Sequence, residues 1–249
     1  MRRISRLAAL FAALLSASAQ ERPKSQPTPA QTKLLVLIPV VALDHGNSVD
    51  FCAQPFSVSE NGARQFIDSC GPDTRPLTVA ILVDVSGSMR PHIARVRETL
   101  YSLLQQIPGN GQYSLFLGGI GLSKVATPPG YQGPLADFLA SVQPYGQTAI
   151  FDHVQVLAGD LEGAAGTRRV LLTFTDGFDN ASDLPVEKAI EALRRAHVTT
   201  YCFAMAGDLR TLGGPVRPSP FLKKSAEATG GAHFNVTKAE HIEQAAKSV

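Results

Sequence analysis

The sequence predicts an α/β fold: a doubly wound, mostly parallel sheet with helices on both faces, preceded by a small β appendage. Two observations carry this. From residue 77 onward, short apolar runs alternate with amphipathic segments, the pattern of parallel strands covered by helices on both sides. Before residue 77 the apolar runs are joined by turn dipeptides at hairpin spacing, without helical periodicity. The apolar fraction of 44% is enough for a chain that buries a core, so the 249 residues are read as globular.

Taken in order, residues 1–19 read as a signal peptide. Arg2, Arg3 and Arg6 precede an apolar run over 7–15, and Ala17-Ser18-Ala19 gives the small-x-small pattern that signal peptidase reads. The run is about half of the roughly 20 residues needed to span a bilayer, so export is expected and an anchor is not. No later segment is long enough to span, and the expected location is periplasmic or extracellular. Loss of the three arginines takes 23 basic residues to 20 against 21 acidic ones, a net charge of −1 in place of +2. No stripe of Lys and Arg with interleaved aromatics remains, which excludes nucleic acid as the expected partner.

Residues 20–32, with Pro23, Pro27 and Pro29 among polar residues, form a linker. Residues 33–76 form the appendage: an apolar strand over 34–41, a turn at Asp44-His45-Gly46-Asn47, and a hairpin over 56–67 that turns at Asn61-Gly62. Three cysteines in an exported chain suggest one disulfide and one leftover thiol. With Asn61 and Gly62 as the turn, Cys52 and Cys70 fall within one position of facing each other. A bridge there is worth about 3 kcal/mol in the chain-entropy model. Cys202, in the apolar run 198–205, reads as a small buried hydrophobe.

Residues 77–249 form the main domain. Strands are expected at 77–83, 112–117, 169–175, 198–204 and 232–236, with a weaker one at 123–126. The clearest helix has Ile93, Val96, Leu100, Leu103, Leu104 and Ile107 at spacings of three and four, with Gly109 as its stop. Others are expected at 135–142, 149–161, 185–196, 221–229 and 239–249.

The first core strand runs directly into Asp84-Val85-Ser86-Gly87-Ser88-Met89. Ligands in open α/β sheets bind outside the carboxyl ends of strands, so this loop lies where sites occur. Asp84, Ser86 and Ser88 supply alternating hard oxygen donors, and Gly87 is expected to let the backbone bend between them. A DxSxS loop alone is weak evidence, since Asp and Ser are ordinary turn formers. Two further pieces accompany it: Gly146-Gln147-Thr148-Ala149-Ile150-Phe151-Asp152 opening a helix, and Thr175-Asp176-Gly177-Phe178-Asp179-Asn180 after another apolar strand.

Together these three pieces resemble the metal-ion-dependent adhesion site of the von Willebrand factor type A family, over residues 77–249, with a Rossmann-like fold implied. Residues 34–70 also look like the short β segment that precedes this domain in secreted bacterial relatives. Five ligand positions are filled in the family's order: Asp84, Ser86, Ser88, Thr148 and Asp176. The resemblance implies a divalent cation, Mg2+ or Mn2+, held directly by the Ser86 and Ser88 hydroxyls. Asp84 and Asp176 are implied to act mostly through bound water, and Thr148 to move between direct and indirect contact. It further implies a protein partner whose Asp or Glu carboxylate takes the open coordination position, as in cell adhesion.

Neighbouring residues are given plainer roles. Asp152, one turn into its helix, is expected to give structural support, Asp179 to close its turn, and His92 to face solvent. The aperiodic segment 207–220 is expected on the metal's face, with Arg210 and Arg217 adding attraction for an acidic partner. Catalysis is not expected. Ser86 stands where an aspartyl nucleophile's second acid would be, Val85-Ser86-Gly87-Ser88 is no GxSxG elbow, and the six histidines show no metal or triad spacing. A purely structural metal is the alternative reading, with a metal-dependent hydrolase or phosphotransferase behind it.

Overall fold

The computed structural model describes residues 43–44, 47–48, 52, 56–71, 73–105, 111–125, 138–205, 210–211, 214–215 and 220–236. The chain divides into two units, 1–37 and 38–249, and every described residue falls in the second.

Two short antiparallel pairs come first. Strands β1 (Leu43–Asp44) and β2 (Asn47–Ser48) pair with Asp44 opposite Asn47, which leaves a two-residue connection at the expected turn. Strands β3 (Val58–Glu60) and β4 (Ala63–Gln65) pair with Glu60 opposite Ala63. Between them Asn61 and Gly62 have φ of 50° and 81°. Two consecutive positive φ values match the right-handed twist of a hairpin, and Asn-Gly adopts them at low cost. The bridge Cys52–Cys70 closes the base of this hairpin, with Cα atoms 5.7 Å apart. The apolar strand expected at 34–41 lies outside the described residues.

The main sheet is built from β5 (Leu77–Asp84), β6 (Gln112–Gly118), β7 (Leu122–Val125), β8 (Arg168–Thr175), β9 (Val198–Ala204) and, at one edge, β12 (His233–Asn235). Its order is β12-β9-β8-β5-β6-β7, with all neighbours parallel except the β6–β7 pair. The weak strand is therefore an antiparallel edge. From β5 the chain crosses to β6 on one side and later returns to β8 on the other. That reversal puts the ends of β5 and β8 at a topological switch point, where open α/β sheets hold ligands.

Helices α1 (Ile93–Leu104), α2 (Ile150–Glu162), α3 (Val186–Arg195) and α4 (Pro220–Thr229) cover the sheet. Alternation along β5 separates the faces. Val79, Ile81 and Val83 pack with Val96, Leu100 and Leu103 of α1, while Ala80 and Leu82 pack with Val154 and Leu157 of α2, Leu193 of α3 and Leu222 of α4. A strand buried on both faces is largely apolar, which is why Val79–Val83 reads as an unbroken run.

Between β9 and α4 the aperiodic segment contains one small ladder, β10 (Arg210–Thr211) against β11 (Gly214–Pro215). Arg217, the Arg210 side chain and the helix expected at 239–249 lie outside the described residues. Of the helix expected at 135–142, the described part is a 3-10 turn, Leu139–Ser141. No described helix is long and apolar enough to cross a membrane.

Candidate metal centre

Three loops meet at the carboxyl ends of β5 and β8. The first leaves β5 at Asp84 and passes straight into a 3-10 turn, Gly87–His92. Backbone bonds fix its position: Val85 N donates to Gly118 O at 2.8 Å, and Gly87 N to Gly146 O at 3.1 Å. The second loop answers with Tyr145 N to Val85 O at 2.9 Å and Ala149 N to Gly119 O at 3.0 Å. It joins the third through Thr148 O, which accepts from Asn180 N at 3.1 Å and Ala181 N at 3.0 Å. Gly146 and Gly177 hold φ of 78° and 87°, a region costly to side-chain-bearing residues. Gly87 needs no such conformation. The backbone does turn at Gly87, from extended Ser86 into the 3-10 turn, but without a positive φ; the left-handed positions lie in the other two loops.

The sequence-derived donors converge. Ser86 N donates to Asp84 Oδ1 at 2.9 Å, Ser86 Oγ and Ser88 Oγ are 3.1 Å apart, and Thr148 Oγ1 lies 3.5 Å from Asp84 Oδ1. Asp176 N-caps the following turn locally, its Oδ1 accepting from Phe178 N at 3.2 Å. Asp84, Ser86, Thr148 and Asp176 are buried, and Ser88 is exposed, so one hydroxyl of the set faces solvent.

Two buried carboxylates here have unlike surroundings. Asp84 Oδ2 accepts a 2.6 Å bond from Thr175 Oγ1, which in turn accepts from Gly177 N at 3.0 Å. Burial pushes the Asp84 carboxyl up to about 6; the bonds from Thr175 and Ser86 pull the other way, and Asp176 adds a small upward push. Asp176 Oδ2 is buried with no hydrogen-bond partner among the described residues. A carboxylate oxygen left so is costly without a cation or water beside it. The donor set therefore fits a small hard cation: two carboxylates and three hydroxyls, all oxygen. Among the described residues no three His, Cys, Asp or Glu side chains form a metal-holding group.

Several residues around the donors were given other weight by sequence reasoning. Thr175 and Asn180 escaped it: Thr175 clamps Asp84, and Asn180 Oδ1 accepts from Thr148 N at 2.9 Å. Both belong to the quoted third piece, but only the fold shows what they face. Asp152 accepts from Asp183 N and Leu184 N, each at 3.0 Å, which is support for the loop. Asp179 closes its turn onto Ser182 at 2.7 Å and also accepts from Phe151 N at 3.1 Å, capping α2. His92 is not solvent-facing. It is buried at 6% exposure beneath the donor loop, because the 3-10 turn rotates it inward, and its Nε2 has no partner among the described residues. Burial, with Arg95 nearby, holds its imidazole below the usual histidine range.

Comparison with known proteins agrees with this fold. Residues 79–178 match the family model described as von Willebrand factor type A domain. An aerotolerance-related membrane protein from Bacteroides fragilis superposes with a TM-score of 0.57 at 16% identity, over 70% of this chain and 96% of that one. A von Willebrand factor type A protein from Catenulispora acidiphila gives 0.55 at 18% identity, over 69% of this chain and 41% of that one. Proximal thread matrix protein 1 from the mussel byssus, in a form with a zinc-occupied MIDAS motif, gives 0.51 at 16% identity, over 69% and 45%. No curated protein matches by sequence. The α/β part of this chain has the fold of these von Willebrand factor type A structures, and its residues 79–178 are similar to that family's model.

Proposed function

We propose that this protein is an exported binding module, not an enzyme, that captures an acidic group of a protein partner through a divalent cation held by Asp84, Ser86, Ser88, Thr148 and Asp176. The observation that carries the reading is the buried, unpartnered Asp176 Oδ2 in a cluster whose other members are oxygen donors. Ser86 and Ser88 would hold Mg2+ or Mn2+ through their hydroxyls. Asp84 and Asp176 would orient its water and balance its charge, and Thr148 would adjust with the ligand state. Bound there, the cation supplies a Lewis-acidic position for a carboxylate. The chain's own part is to keep the donors fixed: Thr175 holds Asp84, and Asn180 holds the Thr148 backbone.

Support for a metal at such a site in this fold comes from the mussel protein, whose MIDAS motif was solved with zinc. Support for export comes from the basic, apolar and small-residue pattern of residues 1–19, with the Cys52–Cys70 bridge pointing to an oxidising compartment. The test is a melting-temperature titration of the full chain with MgCl2 and MnCl2, with EDTA as control, on the native protein and on Ser86→Ala. A metal-dependent rise in the native protein that Ser86→Ala loses supports the reading. Equal curves in all arms reject it.

A further inference from the structure

A groove beside the donor cluster has no role in the function proposed above. Arg90, Ile93 and Arg97 form one wall and Val142, Gln143 and Pro144 the other, around about 280 Å3. Arg90 lies two residues past Ser88 and donates from Nη2 to Pro144 O at 3.2 Å. The next residue on that wall, Tyr145, is bonded to Val85, and Gly146 to Gly87. The groove and the donor loop are therefore built on the same two chain segments, with the 77%-exposed Tyr145 ring on the strip between them.

The chemistry of the groove is one-signed. Among the described residues its lining carries two guanidinium groups and no carboxylate. Arg97 is only half-buried and forms no ion pair among the described residues. Ile93 and Arg97 are one helical turn apart, so the charge stands over an apolar floor of Ile93 and Val142. Two forks of N–H donors over such a floor suit a carboxylate carried on a short aliphatic stem.

We infer that this groove is a second subsite for the partner, taking a further carboxylate of an acidic peptide segment whose first carboxylate meets the cation. The inference rests on the proposed function for its first contact and on Arg90 and Arg97 for its second. Such a partner carries clustered acidic residues, and an isolated Asp or Glu gains only the metal contact.

The experiment uses the full chain in MgCl2 at low salt with two fluorescein-labelled peptides of equal length, oligo-aspartate and an oligo-serine carrying a single Asp, read by anisotropy. Oligo-aspartate is expected to bind about fivefold more tightly than the single-Asp peptide. Arg97→Glu is expected to abolish that preference and Arg97→Lys to keep most of it, with the Mg2+-induced rise in melting temperature reporting an intact fold in both. Equal affinity of the two peptides, no binding of oligo-aspartate, or an Arg97→Glu protein that keeps the preference overturns the groove. If EDTA and Ser86→Ala leave both peptides unaffected while Arg97→Glu weakens oligo-aspartate, the groove stands as an anion site and the metal-mediated function falls.

Discussion

At the residue scale the site turns on the buried carboxyl of Asp84. Asp84 has its carboxyl pushed up to about 6 by burial, against 3.8 in an unfolded chain, so the metal-free fold holds its proton more tightly than the unfolded chain does. Metal-free stability is then greatest below pH 4 with respect to this group, falls as pH rises from about 4 to about 6, and levels off above. A cation reverses the trend, because it binds the deprotonated carboxylate. The expected result is a Mg2+-induced rise in melting temperature that is small at pH 5 and full at pH 7; a rise of equal size at both would count against Asp84 as a participant. Thr175→Val removes the 2.6 Å bond to Asp84 Oδ2 and leaves that oxygen buried and unpaired. It is expected to cost about 1–3 kcal/mol in urea unfolding and to weaken Mg2+ binding. The five candidate residues stood out in the sequence because Asp84, Ser86, Ser88 and Asp176 follow apolar runs and Thr148 opens a helix. Thr175, Asn180 and His92 did not, since their roles depend on which loop faces which. His92 shows this best: its burial follows from the 3-10 turn, which no periodicity announces.

At the element scale the registration of α2 against β6 decides where Thr148 stands. A Cβ on Gly118, the last residue of β6, would come within 2.6 Å of His153 Nδ1 and 3.0 Å of Leu82 Cδ1. His153 is buried in the first turns of α2, just past Thr148. Gly118→Ala is therefore expected to displace the start of α2, lowering stability by about 1–3 kcal/mol and weakening the Mg2+ response. A variant with an unchanged melting temperature and an unchanged response would show that the helix yields freely. The strands were legible because parallel strands buried on both faces are mostly apolar; Val198–Ala204 was expected at the bounds at which it is found. The edge strand Leu122–Val125 was weak in the sequence for the matching reason, as an antiparallel edge with its middle residues exposed needs no apolar run. Gly118 gave no signal at all, because close approach of a helix to a strand end leaves no local pattern.

At the scale of the whole molecule, the hairpin and the α/β domain hold themselves together by different means. Around β3 and β4 the side chains are largely exposed, Phe66 at 82%, so the hairpin has little apolar burial and relies on its turn and on Cys52–Cys70. The α/β domain relies on two apolar layers that flank one sheet. Reduction of the disulfide is expected to release amide protection in residues 56–67, by hydrogen exchange, while the main unfolding transition and the Mg2+ response stay in place. A collapse of the main transition on reduction would show that the hairpin supports the domain. The hairpin was foreseeable from one Asn-Gly dipeptide, since its geometry is local. The placement of the metal loops at the sheet's switch point needed the strand order, which periodicity cannot supply.

One consequence of the buried Cys202 bears on how the protein can be studied. Its Sγ lies 3.5 Å from Ser225 Oγ under α4, it is fully buried, and burial pushes its thiol up to about 12. The chain's two other cysteines are joined to each other. The native fold thus presents no thiolate to a maleimide, and a single cysteine introduced at Tyr145, on the rim of the donor cluster, can be tagged with a spin label or dye without first deleting a native residue.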